Sequence, residues 1–403
     1  MSVPTYLLVD GENIDATLGM SVLGRRPEPE ERPRWDRVLA YCDELSSADA
    51  TEGEGNEARA LFFLNATSRF WPMSTADCPK QFIDVLGVGK SLLQLTFERF
   101  QGICAPENVW VVTNKSYYDL CKEQLPEIPA ENILTEPCRR NTAPCIAYVS
   151  WRIKTLNPKA NVVVTPSDHV VTNTIEFQRV VASCLKFAGE TDAIVTLGMR
   201  PTRPETGYGY IQADLSASSP RNHEIYRVDS FREKPDAETA LKYIRENNYF
   251  WNAGIFIWNV STIVNAFRVY QPALSRIFEG MEKLYGTPAE QEMIDARYPE
   301  CESISVDYAI MEKAEEIFVC PADFGWSDLG TWGSLLAQSR KDLYNNALIG
   351  PDIAVFDTHN CIIHTLHEKQ VIVQGLDGYI VAENAGRRLG YRGRPGRRSR
   401  PVR

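Results

Sequence analysis

Asn161-Val162-Val163-Val164-Thr165-Pro166-Ser167-Asp168 and, further on, Ala193-Ile194-Val195-Thr196-Leu197 decide the fold. Each is a near-continuous β-branched run, the composition of a strand covered by helices on both faces. Asp168 follows directly on its run, so its carboxylate is expected at the carboxyl edge of a sheet, where α/β proteins place their ligands. Outward from these strands the same rhythm continues. Arg59-Ala-Leu-Phe-Phe-Leu64 is an apolar run fit for a buried strand, a helix is expected from Ser91 with Leu93, Phe97 and Phe100 on one face, and a strand over 109–113 follows. Alternation of this kind predicts an α/β protein with a doubly wound, mostly parallel sheet.

The two ends of the chain read differently. Residues 1–58 hold a short strand at 6–9, a Pro-rich stretch between Pro27 and Pro33, a helix at 35–45 and a small, polar loop over 46–57. After residue 345 come short strands at 353–356, 361–364, 371–373 and 379–382 with turns between them, which suggest a small C-terminal β-coil over 346–385. Residues 386–403 carry eight arginines and almost nothing apolar, so a disordered tail is expected. The main domain is therefore assigned to 59–345.

A formal net charge of −10 argues against a general electrostatic grip on nucleic acid. The ten cysteines lack paired CxxC spacing, which points to reduced thiols rather than zinc. No run is long and apolar enough to span a bilayer, and the N-terminus lacks the basic region of a signal peptide. A cytoplasmic location is the default expectation, and the oligomeric state is open, a homodimer included.

The most informative motif is Ser68-Arg69-Phe70-Trp71-Pro72-Met73-Ser74 followed by Cys78-Pro79-Lys80-Gln81-Phe82. An Arg and a Lys flanking a turn beside a strand can clasp a triphosphate, Arg by its planar fork and Lys as a point charge. The run resembles the second half of the nucleotidyltransferase signature Gly-Gly-x-Gly-x-Arg-x-x-Pro…Pro-Lys, in the form typical of bacterial mannose-1-phosphate guanylyltransferases. Further stretches are similar to that family, in its order: Glu136-Pro137 with Arg140-Asn141-Thr142-Ala143-Pro144, Pro166 to His169, Thr206-Gly207-Tyr208-Gly209-Tyr210-Ile211, Glu233-Lys234-Pro235, Trp251-Asn252-Ala253-Gly254 and Trp326-Ser327-Asp328-Leu329-Gly330.

The resemblance implies a Rossmann-like nucleotidyltransferase sheet and transfer of GMP from GTP to mannose 1-phosphate, giving GDP-mannose and pyrophosphate. It implies Asp168 and Asp328 as a Mg²⁺ pair, a role that suits hard carboxylate oxygens completed by phosphate and water; either aspartate alone could equally cap a turn. Arg69 and Lys80 would hold the leaving pyrophosphate. Lys234 would hold the sugar phosphate, Glu233 and Asn252 the sugar hydroxyls, and Gly207 a close backbone approach. Glu136, Arg140 and Asn141 would form the loop that reads the base. His169 receives a structural role, because an attacking sugar phosphate is already an anion.

One departure stands out. Where the family has its glycine loop, this chain has Leu64-Asn65-Ala66-Thr67-Ser68, so each left-handed backbone position would cost about 1 kcal/mol or more and each Cβ would crowd a phosphate. Impaired turnover, or a catalytically dead fusion, is the expectation. The preceding Tyr6-Leu-Leu-Val-Asp10-Gly-Glu-Asn13-Ile-Asp15 resembles the start of NYN (PIN-like) ribonuclease domains, in which an aspartate such as Asp10 binds metal, so an RNA-binding or nuclease role is the alternative. By composition, residues 60–64 could fill the slot of the family's first strand.

Overall fold

The computed structural model describes residues 6–9, 59–62, 70, 73–75, 78–365, 370–384 and 387–392. Strands β1 (Tyr6–Val9) and β2 (Arg59–Phe62) pair in parallel, Tyr6 opposite Arg59 and Val9 opposite Phe62. Among the described residues they form a sheet of their own. The described part of the run expected to complete the main sheet, 59–62, therefore pairs with β1 instead. Asp10, Asp15 and the helix expected at 35–45 lie outside the described residues, as do Arg69 and Leu64 to Thr67.

From residue 91 the alternation is as the sequence implies. Helix α1 (Leu92–Glu98) starts on a capping box, in which Ser91 Oγ accepts from Gln94 N at 3.2 Å and Gln94 Oε1 accepts from Ser91 N at 2.9 Å. Strands β3 (Val111–Asn114) and β4 (Ile133–Glu136) flank α2 (Tyr118–Gln124) and pair in parallel as a separate two-stranded sheet. Next come α3 (Thr142–Leu156), β5 (Asn161–Val164), β6 (Val170–Val171), α4 (Thr174–Glu190), β7 (Ile194–Met199), β8 (Gly209–Ser219), β9 (Asn222–Glu233), α5 (Ala237–Glu246), β10 (Tyr249–Asn259), α6 (Val260–Tyr270), α7 (Pro272–Phe278), α8 (Ala289–Arg297) and β11 (Ile317–Ala322).

The main sheet has the order β5-β10-β7-β11-β9-β8. Its pairings set β5, β7, β8 and β11 in one direction and β9 and β10 in the other. Most strands of this mixed α/β sheet thus run one way, with β10 antiparallel between β5 and β7 and β9 antiparallel between β11 and β8. Helices cover both faces, and the period of two shows which residues go where. Val162, Val164, Ile194, Phe256, Trp258 and Ile317 pack with α3, α6 and α7. Val163, Val195, Leu197, Ile255, Ile257 and Cys320 pack with α4, whose Phe177, Val180, Val181, Cys184 and Phe187 form one helical stripe. The fully buried ones, such as Val195, Leu197, Ile255 and Ile257, contribute about 1.5–3 kcal/mol each.

After β12 (Trp326–Ser327) and α9 (Trp332–Gln338), the chain coils. Strands β13 (Ala347–Ile349), β15 (Ile362–Thr365) and β17 (Tyr379–Asn384) stack in parallel, while β14 (Ile353–Phe356) and β16 (Val371–Gln374) form a second parallel ladder. The coil rests on the main domain through Phe70, Ile83, Trp332, Ile349 and Ile362, and His364 Nε2 lies 3.0 Å from the Val85 carbonyl oxygen. The arginine-rich tail is corrected in part. Residues Arg387–Arg392 form β18, antiparallel to β17, because an open strand edge supplies backbone partners whatever the side chains; residues 393–403 lie outside the described set.

A buried ion pair braces the helical layer: Arg152 Nη1 is 2.6 Å from Glu290 Oε2, Tyr148 OH donates to Glu290 Oε1 at 2.9 Å, and Gly286 N donates to Glu290 Oε2 at 2.7 Å. Removing one partner strands the other charge. Arg152→Ala is expected to cost about 3–5 kcal/mol of unfolding free energy in urea titration, whereas Arg152→Met with Glu290→Leu should recover most of it.

Candidate active site

Two residues of strand on each side assemble the centre. Trp326 lies opposite Val171 and Ser327 opposite Val170 in an antiparallel pair. In such a pair the residues just before one strand meet those just after the other, so Asp168, ahead of β6, comes together with Asp328, beyond β12. Gly325 permits the approach: its φ is +67°, and a Cβ there would overlap the Thr172 hydroxyl.

Lys80, at the start of a 3₁₀ turn, ties the two aspartates. Its Nζ lies 3.0 Å from Asp168 Oδ2 and donates to the Asp328 carbonyl at 2.6 Å. Tyr208 OH donates to Asp328 Oδ1 at 2.6 Å, and Gly330 N donates to the same oxygen at 2.9 Å. Behind Asp168, Arg99 Nη2 donates to the His169 carbonyl at 3.0 Å. Burial lowers the Arg99 pKa to about 10, with Asp168 opposing the shift, so it stays cationic at neutral pH. Trp326 Nε1 donates to His169 Nδ1 at 3.2 Å, which requires an unprotonated Nδ1. Burial pushes the His169 pKa down to about 4. A neutral, packed imidazole agrees with its structural role.

A second group of side chains adjoins the first. Lys234 follows β9 and takes φ +49°; its N donates to the Tyr208 carbonyl at 3.2 Å, and its ammonium pairs with Glu233. Gly209 leaves the space in which the Glu233 carboxylate sits, because a Cβ there would collide with it. Asn252 lies on β10 at a register shift. Its Nδ2 donates to Asp307 Oδ1 at 2.8 Å and its Oδ1 accepts from Gly254 N at 3.0 Å. Gly207 N donates to Glu205 Oε1 at 3.1 Å, making the turn into β8. Tyr208 thus belongs to both groups, by its hydroxyl to Asp328 and by its carbonyl to Lys234.

Glu136 and Arg140 contact a different partner, the segment 298–299, and Asn141 stands beside them at the start of α3. Tyr298 OH donates to Glu136 Oε2 at 2.6 Å, and burial raises the Glu136 pKa against that hydrogen bond. Arg140 donates to the Pro299 carbonyl. Asn141, at φ +67°, caps α3 by accepting from Thr142 N at 3.0 Å. Three of the motif residues or their neighbours, Asn141, Lys234 and Leu329, hold left-handed backbones without being glycine. Such conformations cost of order 1–3 kcal/mol each and collect at functional sites.

Sequence reasoning missed Arg99, Asp307 and the double role of Tyr208. Tyr208 sat inside a quoted motif. For Asp307 the available signal was an acid beside the apolar run Ala309-Ile310-Met311. Arg99 gave none, being one basic residue at a helix end.

A nucleotidyl transferase family model matches residues 66–345. The chain belongs to the nucleotidyl transferase family. Alginate biosynthesis protein AlgA of Pseudomonas fluorescens is 36% identical over 321 residues, covering 78% of this chain and 65% of that protein. Mannose-1-phosphate guanylyltransferase 2 of Escherichia coli O157:H7 is 34% identical over 341 residues, covering 79% of this chain and 68% of its own length. The chain thus spans about two thirds of these relatives. A solved structure from Thermus thermophilus, described as a mannose-1-phosphate geranyltransferase, has a TM-score of 0.70 and 31% identity, covering 80% of this chain and 91% of that one. The matched stretch includes every motif from Arg69 to Asp328 and excludes the NYN-like segment, to which no match lends support.

His169 should show its burial in solution. With a folded pKa near 4 and an unfolded value near 6.5, the unfolded chain binds the extra proton, so stability contributed by neutral His169 is present above pH 6.5 and is lost as pH falls toward 4. His364, also pushed down to about 4 by burial, adds the same sign. Urea midpoints measured from pH 7 to pH 4 should fall, and His169→Gln should flatten part of that slope.

Proposed function

We propose that the chain transfers a guanylyl group from GTP to mannose 1-phosphate, and that its turnover is held back by the sequence at Leu64 to Thr67. The observation that carries this reading is the double attachment of Tyr208, which joins the Asp168–Asp328 pair to the Glu233–Lys234–Asn252 group as one continuous site. The relatives' names support the choice of substrates.

In the step we infer, an oxygen of mannose 1-phosphate attacks the α-phosphorus of GTP, the bond from that phosphorus to the bridging oxygen breaks, and the electron pair leaves on pyrophosphate. The attacker is already anionic, so no side chain needs to take a proton. Positioning and charge balance carry the catalysis. Lys234 neutralises the sugar phosphate, and Glu233 and Asn252 fix the sugar hydroxyls. Glu136, one oxygen of which is held by Tyr298, reads the donor edge of guanine with Arg140 and Asn141 shaping its loop. Lys80 and Arg69 balance the departing pyrophosphate.

Among the described residues no group of three or more His, Cys, Asp or Glu side chains forms a metal cage. That suits Mg²⁺, which commonly takes one or two carboxylates and completes its octahedron with substrate phosphates and water. Asp168 and Asp328 would hold it, and it would supply neutralisation of the phosphate charge. The described cysteines are free thiols, in keeping with the reducing cytoplasm in which we place the protein. Among the described residues no helix is long and apolar enough to cross a membrane.

Pyrophosphate release from GTP plus mannose 1-phosphate, with and without Mg²⁺, tests the reading. Asp168→Asn and Asp328→Asn should each lower it on the order of a hundredfold, and glycines placed across Leu64 to Thr67 should raise it. No mannose 1-phosphate binding, together with no release after the glycines are restored, would sink the proposal.

A further inference from the structure

Asn252 is held by partners that cannot exchange roles. Gly254 N–H can only donate, and it meets Asn252 Oδ1 at 3.0 Å; an ionised Asp307 can only accept, and its Oδ1 meets Asn252 Nδ2 at 2.8 Å. Flipping the amide would set oxygen against carboxylate and N–H against N–H. One N–H of the amide is left without a partner among the described residues.

Asp307 sits where a carboxylate is costly to keep. Burial and the neighbouring Glu233 raise its pKa, with the Asn252 hydrogen bond and Lys234 opposing them; Glu312 stands near the same group of acids. Asp307 opens a π-helical turn, Asp307–Met311, in which Glu312 N donates to the Asp307 carbonyl at 2.9 Å. Such turns are rare and frequent at functional sites. The segment before it is pinned to the start of α3, Val306 N donating to Thr142 Oγ1 at 2.9 Å and Ala143 N to the Ile304 carbonyl at 3.1 Å. Asp307 therefore arrives at Asn252 on a backbone anchored at the Asn141–Thr142 motif.

We propose that Asp307 is a positioning residue that locks the Asn252 amide, so that Asn252 meets a sugar hydroxyl only as a donor and thereby selects among sugar 1-phosphates. This rests on the sugar-phosphate site proposed above. With Asn252 donating and Glu233 accepting, a hydroxyl must both accept and donate in a fixed geometry, which an epimer fails to match. Asp307→Asn keeps the shape but removes the carboxylate's part of the constraint, since an amide can turn either face to Asn252, and leaves the Gly254 N–H to orient it.

Calorimetry of the full chain with mannose 1-phosphate and with glucose 1-phosphate tests this. Asp307→Asn is expected to weaken mannose 1-phosphate binding about tenfold and to narrow the ratio between the two sugars. Asn252→Ala should cost a similar factor, and the double variant no more than either change alone, because both remove one hydrogen bond. Unchanged affinity and ratio in Asp307→Asn, or losses that multiply in the double variant, overturn the proposal and leave the function above standing. A parent chain that binds no mannose 1-phosphate overturns both. If Asp307→Asn does not fold, Asn252→Asp, which cannot donate when ionised, should lose about tenfold, and unchanged affinity there overturns the proposal.

Discussion

The centre of this protein depends on a four-residue ladder, Val170–Val171 against Trp326–Ser327. Without it, Asp168 and Asp328 would belong to distant parts of the chain. The ladder is too short to hold by its own hydrogen bonds, since isolated two-stranded pairs are marginal in water. It holds because both flanks are buried: Val170 and Leu329 lie in the cluster that joins the coil to the main domain, and Phe324 packs against Phe177 of α4 with ring centroids 5.3 Å apart. Packing remote from the aspartates thus fixes their separation, and Lys80 reports that separation by reaching both.

Tyr208 extends the constraint from the Asp168–Asp328 carboxylates to the Glu233–Lys234 group. Its ring stands edge-on to both Trp251 and Trp326, with centroids 5.2 and 5.3 Å away, so neither end of the residue can move independently. Lys234 and Leu329, both left-handed, lie next to residues that Tyr208 holds. Strained backbones persist only where surroundings over-determine them. Here a rigid aromatic with hydrogen bonds at its hydroxyl and its carbonyl is that surrounding.

What could be read in the sequence follows from what side-chain patterns encode. Val162 to Val164 announced a strand covered on both faces, and both faces are covered, Val163 turning to one core and its neighbours to the other. The same pattern says nothing about edges. β5 pairs only with β10 and β3 only with β4 among the described residues, although the run at 161–164 reads like an interior strand. Nor does it say direction, which is why β10 could slip antiparallel between β5 and β7 unannounced. The arginine tail failed for a related reason: backbone pairing at the edge of β17 needs no apolar side chains. The motifs stand out in the sequence because their chemistry is carried by residue identity, whereas the proposed part of Asp307 runs through a π-turn and an amide's orientation, neither of which has a spacing signature.

The two halves of the candidate site therefore differ in how their geometry is secured. The half proposed to bind the sugar is built from β8, β9, β10 and the turn at Asp307, elements cross-linked by side chains that specify one another's orientation. A triphosphate cradle of the kind the proposed function needs relies on backbone N–H groups, which act on a phosphate only if the chain can approach without a Cβ and adopt left-handed angles. Side chains such as Lys80 can supply charge from a distance but cannot reproduce that cradle, since a point charge neutralises an anion without fixing its rotation. On the proposed reading, a chain carrying Leu64-Asn65-Ala66-Thr67 at that place would keep the side chains that recognise a sugar phosphate while lacking the glycines that let a backbone cradle a triphosphate.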